Sequence, residues 1–97
     1  MKEIVVLSSF ERSVKKLAAG DRKKLTEALE KFNHFLSTGE LGAGLGFKKI
    51  NHDKYEFRID IRQRVVFKQG SDTIYLVLVG DHNEVKKYLR NYRNEKL

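Results

Sequence analysis

The chain has 97 residues, enough for one domain with a modest core and too few for two. No apolar run approaches the roughly 20 residues of a membrane span, "KEIVVLSS" is too short for a signal peptide, and the lack of cysteine excludes disulfides and thiolate metal sites. A reducing cytoplasm is the compartment expected, and a net charge of +7 favours a polyanionic partner, nucleic acid or an acidic protein.

In chain order, "EIVVL" at Glu3–Leu7 reads as a short apolar strand. Ser8 or Ser9 is expected to cap a helix that carries Phe10, Val14 and Leu17 on one face and stops at Gly20. Asp21 is expected to cap a second helix, with Leu25, Ala28, Leu29, Phe32 and Leu36 at helical spacing, so that the two form an αα-hairpin. "STGELGAGLG" reads as a surface loop; its glycines lack the lysine and hydroxyl of a P-loop. "FKKI" and a turn at Asn51–Asp53 follow, then strands at 54–62 and 64–68, a turn at Gly70–Asp72 and the apolar strand "TIYLVLVG". Asp81 starts a last helix, with Glu84 completing a capping box and Val85, Tyr88, Leu89 and Tyr92 on one face. The order β-α-α-β-β-β-β-α predicts an α+β domain, a small antiparallel sheet with helices packed on one side, over residues 1–97.

The charge surplus is uneven. Residues 1–47 carry 8 basic and 6 acidic side chains, whereas residues 48–68 carry 7 and 3. Within that segment "KYEFRIDIRQRVVFK" puts Tyr55, Phe57, Ile59 and Ile61 on one face and Lys54, Glu56, Arg58, Asp60 and Arg62 on the other. A two-residue turn at Arg62–Gln63 would set Arg64 and Lys68 over the core. A three-residue loop, 61–63, instead makes Asp60 face Arg64, Arg58 face Val66 and Glu56 face Lys68, and leaves no charge buried alone. By pattern alone such a charged face is most often a solvated surface.

The helical hairpin, "FKKI", "YEFRI", "RVVF" and "LVGDHNEVKKYL" together resemble the RelE/ParE toxin superfamily over essentially the whole chain. The resemblance implies a small antiparallel sheet with the hairpin on one face, a C-terminal helix, and neutralisation by a cognate antitoxin. It also implies one of two activities. RelE-like members cleave messenger RNA, usually on the ribosome; ParE-like members inhibit DNA gyrase without catalysis. A third possibility is an inactive RNA-binding homologue.

Cleavage of RNA needs a base for the 2′-OH, cations for the charge developing on the phosphate, and an acid for the leaving 5′-oxygen; it requires no metal and leaves a 2′,3′-cyclic phosphate. The resemblance puts the cations at Arg58 and Arg64, a base at Glu56, and a further acid–base group at His82, with Tyr88 the remaining acid candidate. The ending Gly80-Asp81-His82 departs from the family's Gly-His-Arg, and Lys86 stands near the usual tyrosine place. Asp81 reads first as an N-cap, which sets His82 in a first helical turn where the dipole favours neutral imidazole. RNA contacts are expected from Lys48, Lys49, Lys54, Arg62, Lys68, Lys86, Lys87 and Arg90. Glu56 has an alternative cross-strand role with Lys68, and Tyr88 one in core packing. His34 and His52 read as surface histidines, and three scattered histidines suggest no metal site and no cofactor.

Overall fold

The computed structural model describes residues 3–38, 47–50 and 53–93, excluding the side chains of 92 and 93. The order is β1 Glu3–Val6, α1 Ser8–Lys15, α2 Ala19–Thr38, β2 Lys48–Lys49, β3 Lys54–Arg58, β4 Gln63–Gln69, β5 Thr73–Asp81 and α3 His82–Arg93. The α+β class and the β-α-α-β-β-β-β-α order expected from periodicity are both present. The glycine-rich loop at 39–46, the expected turn residues Asn51 and His52, and the Tyr92 side chain lie outside the described residues.

The strands form one sheet in the order β1-β5-β4-β3-β2. It is mixed rather than antiparallel, because β1 pairs parallel to β5, Glu3 opposite Thr73 through Val6 opposite Leu76. The long connection that a parallel pair requires is the whole chain between them, the helical hairpin followed by β2, β3 and β4. β5 is flanked by β1 and β4 and carries apolar residues to both sides, which explains its unbroken hydrophobic run.

Alternation along β3 and β4 gives the sheet two buried faces. Phe57, Val65 and Phe67 join Phe10, Leu25, Ala28, Phe32, Ile74, Leu76 and Val79 in the core shared with α1 and α2. Phe32 is its centre, with ring centroids 4.7 Å from Phe57 and 4.9 Å from Phe67, so truncating it costs about 3–5 kcal/mol. Val66, between Val65 and Phe67, points the other way and packs with Val77 and Val85, covered by Tyr88 and Leu89. The helices therefore do not share one side; α3 crosses the face opposite α1 and α2.

Two helix starts differ from expectation. Leu7 is the N-cap of α1 and no side chain caps it; Ser8 is already helical. The hydroxyls are used elsewhere. β1 ends opposite Leu76, leaving the outer edge of β5 open where a bulge places Val77 and Leu78 across from Val66. Ser9 Oγ donates to the Val77 carbonyl at 2.6 Å, and Ser13 Oγ accepts from the Val79 N–H at 3.0 Å. Two serines one helical turn apart thus satisfy backbone groups that no strand reaches. Gly20 and Asp21 fall inside the first turn of α2, and Lys16–Ala18 make the link between the helices. Asp21 accepts from Gln63 Nε2 at 3.2 Å, bracing the β3–β4 turn instead of capping.

Candidate active site

β3 ends at Arg58, four residues short of the expected 62, because Asp60 closes a turn. Its Oδ1 accepts from the N–H groups of Arg62 and Gln63, each at 2.8 Å, the turn chemistry that aspartate provides. Burial opposes ionisation of Asp60, but these two donors and the Lys24 ammonium at 3.2 Å outweigh it and hold the carboxyl below its usual range. The strand register tightens accordingly. Arg58 lies opposite Arg64, Glu56 opposite Val66 and Lys54 opposite Lys68, so the expected pairs Asp60–Arg64, Arg58–Val66 and Glu56–Lys68 are absent. The parity is the expected one: the even-numbered residues still share a face.

That face is not uniformly solvated. Lys54 is 1% exposed, with Nζ 3.5 Å from Asp53, which also lies 3.6 Å from Lys68. A lysine buried this deeply cannot meet an RNA phosphate, so Lys54 leaves the set of expected contacts. Lys49 also points away, to the face of α2, with Nζ 6.0 Å from the Tyr55 ring centroid. Lys48 is exposed and faces Glu56 across the strands. Ile61, expected in the apolar row, stands 86% exposed in the turn.

At the open end the remaining candidates meet. Arg64 extends from β4 opposite Gly80 of β5. One side of it is Glu56, with Oε2 3.6 Å from Arg64 Nε; the other is His82, whose Nδ1 lies 2.7 Å from Arg64 Nη1. A guanidinium only donates, so Nδ1 accepts and neutral His82 carries its proton on Nε2. His82 is placed by the capping box: Glu84 N–H donates to Asp81 Oδ1 at 2.8 Å, and Asp81 N–H to Glu84 Oε1 at 3.1 Å. Gly80 lets that turn come close, since a Cβ there would lie 3.0 Å from Glu84 Cβ. Neither Gly80 nor the Asp60 clamp was singled out as part of the site from sequence; an aspartate two residues before Arg62 was the available signal for the second.

The electrostatics are unbalanced by design of the register. Arg58 and Arg64 are directly opposed like charges, which is destabilising, and Glu56 compensates only one of them. Arg58 is exposed and makes no ion pair with another described residue. Arg62, Lys86, Lys87 and Arg90 are exposed as expected, while Lys68 is part-buried and paired. Tyr88 is half-buried against the Val66–Val77–Val85 cluster. Among the described residues no group of three His, Cys, Asp or Glu could hold a metal, and no helix is long and apolar enough to cross a membrane.

No protein-family model and no curated protein sequence matches the chain. Solved structures do. The RelB–RelE antitoxin–toxin complex from Methanococcus jannaschii includes a chain at TM-score 0.67 and 21% identity, covering 87% of this chain and 96% of that one. The chain has a RelE-like toxin fold. The E. coli DinJ–YafQ toxin–antitoxin complex gives 0.66 at 16% identity, over 87% and 96% of the two chains. The YoeB dimer from Staphylococcus aureus gives 0.64 at 18%, over 84% and 97%. At these identities the RelE-like likeness is one of fold, and the chemistry rests on the side chains above.

Proposed function

We propose that this RelE-like chain is the toxin of a type II toxin–antitoxin pair, a metal-independent endoribonuclease that cuts messenger RNA on the ribosome in the cytoplasm. The observation that carries this reading is the opposed pair Arg58 and Arg64, joined to Glu56 and His82 at the open end of the sheet. An RNA phosphate is the natural counter-ion for two opposed arginines of which only Arg64 has a carboxylate, Glu56, beside it. Glu56 takes the 2′-OH proton as the 2′-oxygen attacks phosphorus, and Arg58 and Arg64 stabilise the added negative charge. As Arg64 turns to the phosphate it leaves Nδ1 of His82, which then takes up a proton from solvent. The resulting imidazolium gives its Nε2 proton to the departing 5′-oxygen, and a 2′,3′-cyclic phosphate remains. With Arg64 on Nδ1, the proton of His82 stands on Nε2, and Nε2 is therefore the atom that donates.

Arg62, Lys86, Lys87 and Arg90 serve as phosphate contacts outside the reacting centre. The partner is a cognate antitoxin, as the RelB–RelE and DinJ–YafQ complexes suggest for this fold. The alternative, gyrase inhibition without catalysis, has no use for an acid–base pair beside paired arginines. Induced expression should arrest growth and translation with messenger RNA cut within codons. Arrest with intact messenger RNA and DNA-damage signalling would support gyrase instead.

A further inference from the structure

Ile61 is the most exposed large apolar side chain described, at 86%, against 45% for Val6, the other one. The turn that carries it is nonetheless tightly held. Ile59 N–H donates to the Gln63 carbonyl at 2.8 Å, Asp60 Oδ1 takes two further N–H groups, and α2 braces the turn through Lys24 to Asp60 and Asp21 to Gln63. Ile59 packs into the core beneath. Ile61 is therefore presented to solvent by a fixed backbone.

Its surroundings are cationic. Arg58 lies three residues before it, Arg62 directly after it, and both are exposed; the only acid of the turn, Asp60, is taken up by Lys24 and the backbone. At about 3.3 Å per extended residue, Ile61 is within on the order of 10 Å of Arg58. An apolar point ringed by arginines, beside a phosphate-attracting pair, matches single-stranded RNA: charges meet the backbone while an unstacked base offers an apolar face. An acidic peptide would satisfy the arginines but gives no reason for the point to stand three residues from Arg58, in the turn that joins the strands of Arg58 and Arg64. We infer that Ile61 packs on a nucleobase flanking the phosphate held by Arg58 and Arg64, so that the β3–β4 turn fixes where along the strand the cut falls. This rests on the nuclease reading.

The test uses the full chain and synthetic messenger RNAs on programmed ribosomes, comparing wild type, Ile61→Ala and Ile61→Phe. Ile61→Ala should unfold at the wild-type temperature, since the side chain is exposed, yet lose roughly tenfold in kcat/KM, the scale of one apolar contact. Ile61→Phe should keep the rate. On a message with an abasic residue at one position flanking the cut, wild type and Ile61→Ala should become equal. Equal rates on intact message, with wild type active, would overturn the inference and leave the nuclease reading standing. No cleavage by wild type would overturn both. If Ile61→Ala cleaves normally but no longer captures the co-expressed product of the adjoining reading frame, the turn is a protein-docking element and the assignment to RNA falls.

Discussion

Replacing Arg64 by alanine separates the two jobs its side chain holds. In the proposed mechanism the guanidinium is the central donor to the phosphate, and removing one such donor typically lowers the rate by about 10²–10³. The same change also touches stability, because Arg64 is only 16% exposed and faces Glu56, itself 11% exposed. Leaving that carboxylate without its partner costs about 1–3 kcal/mol. Removal of the like charge opposite Arg58 returns about 0.2–1 kcal/mol. The net is about 1 kcal/mol, which for a domain of this size lowers the unfolding temperature by roughly 4–8 °C. Thermal unfolding and cleavage on programmed ribosomes, run on the same preparations, measure the two effects. Adding Glu56→Gln to Arg64→Ala should recover most of the stability and none of the rate. A cleavage rate within a few-fold of wild type, or no rescue by the second change, would refute this account of the Glu56–Arg64–His82 cluster.

Gly80→Ala should lower the unfolding temperature by several degrees, because the new Cβ meets Glu84 at 3.0–3.1 Å and breaks a cap worth about 0.5–2 kcal/mol. Cleavage should fall with it as His82 loses its anchor; an unchanged unfolding temperature would count against the close approach. For Asp60, the carboxyl is held low in the folded chain, so its charge stabilises at neutral pH and that contribution disappears as acid protonates it. Asp60→Asn keeps an acceptor for the backbone while losing the charge, so its deficit against wild type should shrink as pH falls from 7 through the carboxylate range. A deficit constant with pH in denaturant titrations would contradict this. Lys54→Met should destabilise only modestly, since the Asp53 carboxylate it leaves is 34% exposed and keeps Lys68 at 3.6 Å, whereas a carboxylate left alone in the interior costs far more. It should leave the salt dependence of RNA binding unchanged, whereas loss of a true phosphate contact reduces that slope by about 1.

Period-2 alternation made the apolar face of β3 and β4 legible: Tyr55, Phe57, Val65 and Phe67 are where the pattern sets them. The capping box at Asp81 and Glu84 was legible for the same reason, being a contact between residues three apart. What failed depended on distant pieces of chain. Lys54 belongs to a charged row in the sequence, yet it is buried, with Asp53 and the facing Lys68 of β4 beside it, and that register is a property of the sheet. The duties of Ser9 and Ser13 depend on where β1 stops relative to β5, which no local pattern gives. The end of β3 was a different kind of miss. Asp60 carried a local turn signal, and the alternation running through Ile59 and Ile61 outweighed it.

The charged row on β3 thus resolves into two parts with different physics. Toward its start, Lys54 and Glu56 are buried with compensating partners, and Val66 between them and β5 is core beneath Val85. Toward its end, Arg58 reaches water where the covering helix begins rather than continues. α3 covers the sheet only from its first turn onward, so the boundary between core and site falls at His82. That boundary makes folding and chemistry inseparable here. Val85 docks α3 on Val66 and Val77, the capping box fixes the turn above it, and the turn sets His82 2.7 Å from Arg64. Whatever loosens α3 therefore displaces His82 from Arg64, while Arg58 and Arg64 stand on the sheet itself and stay.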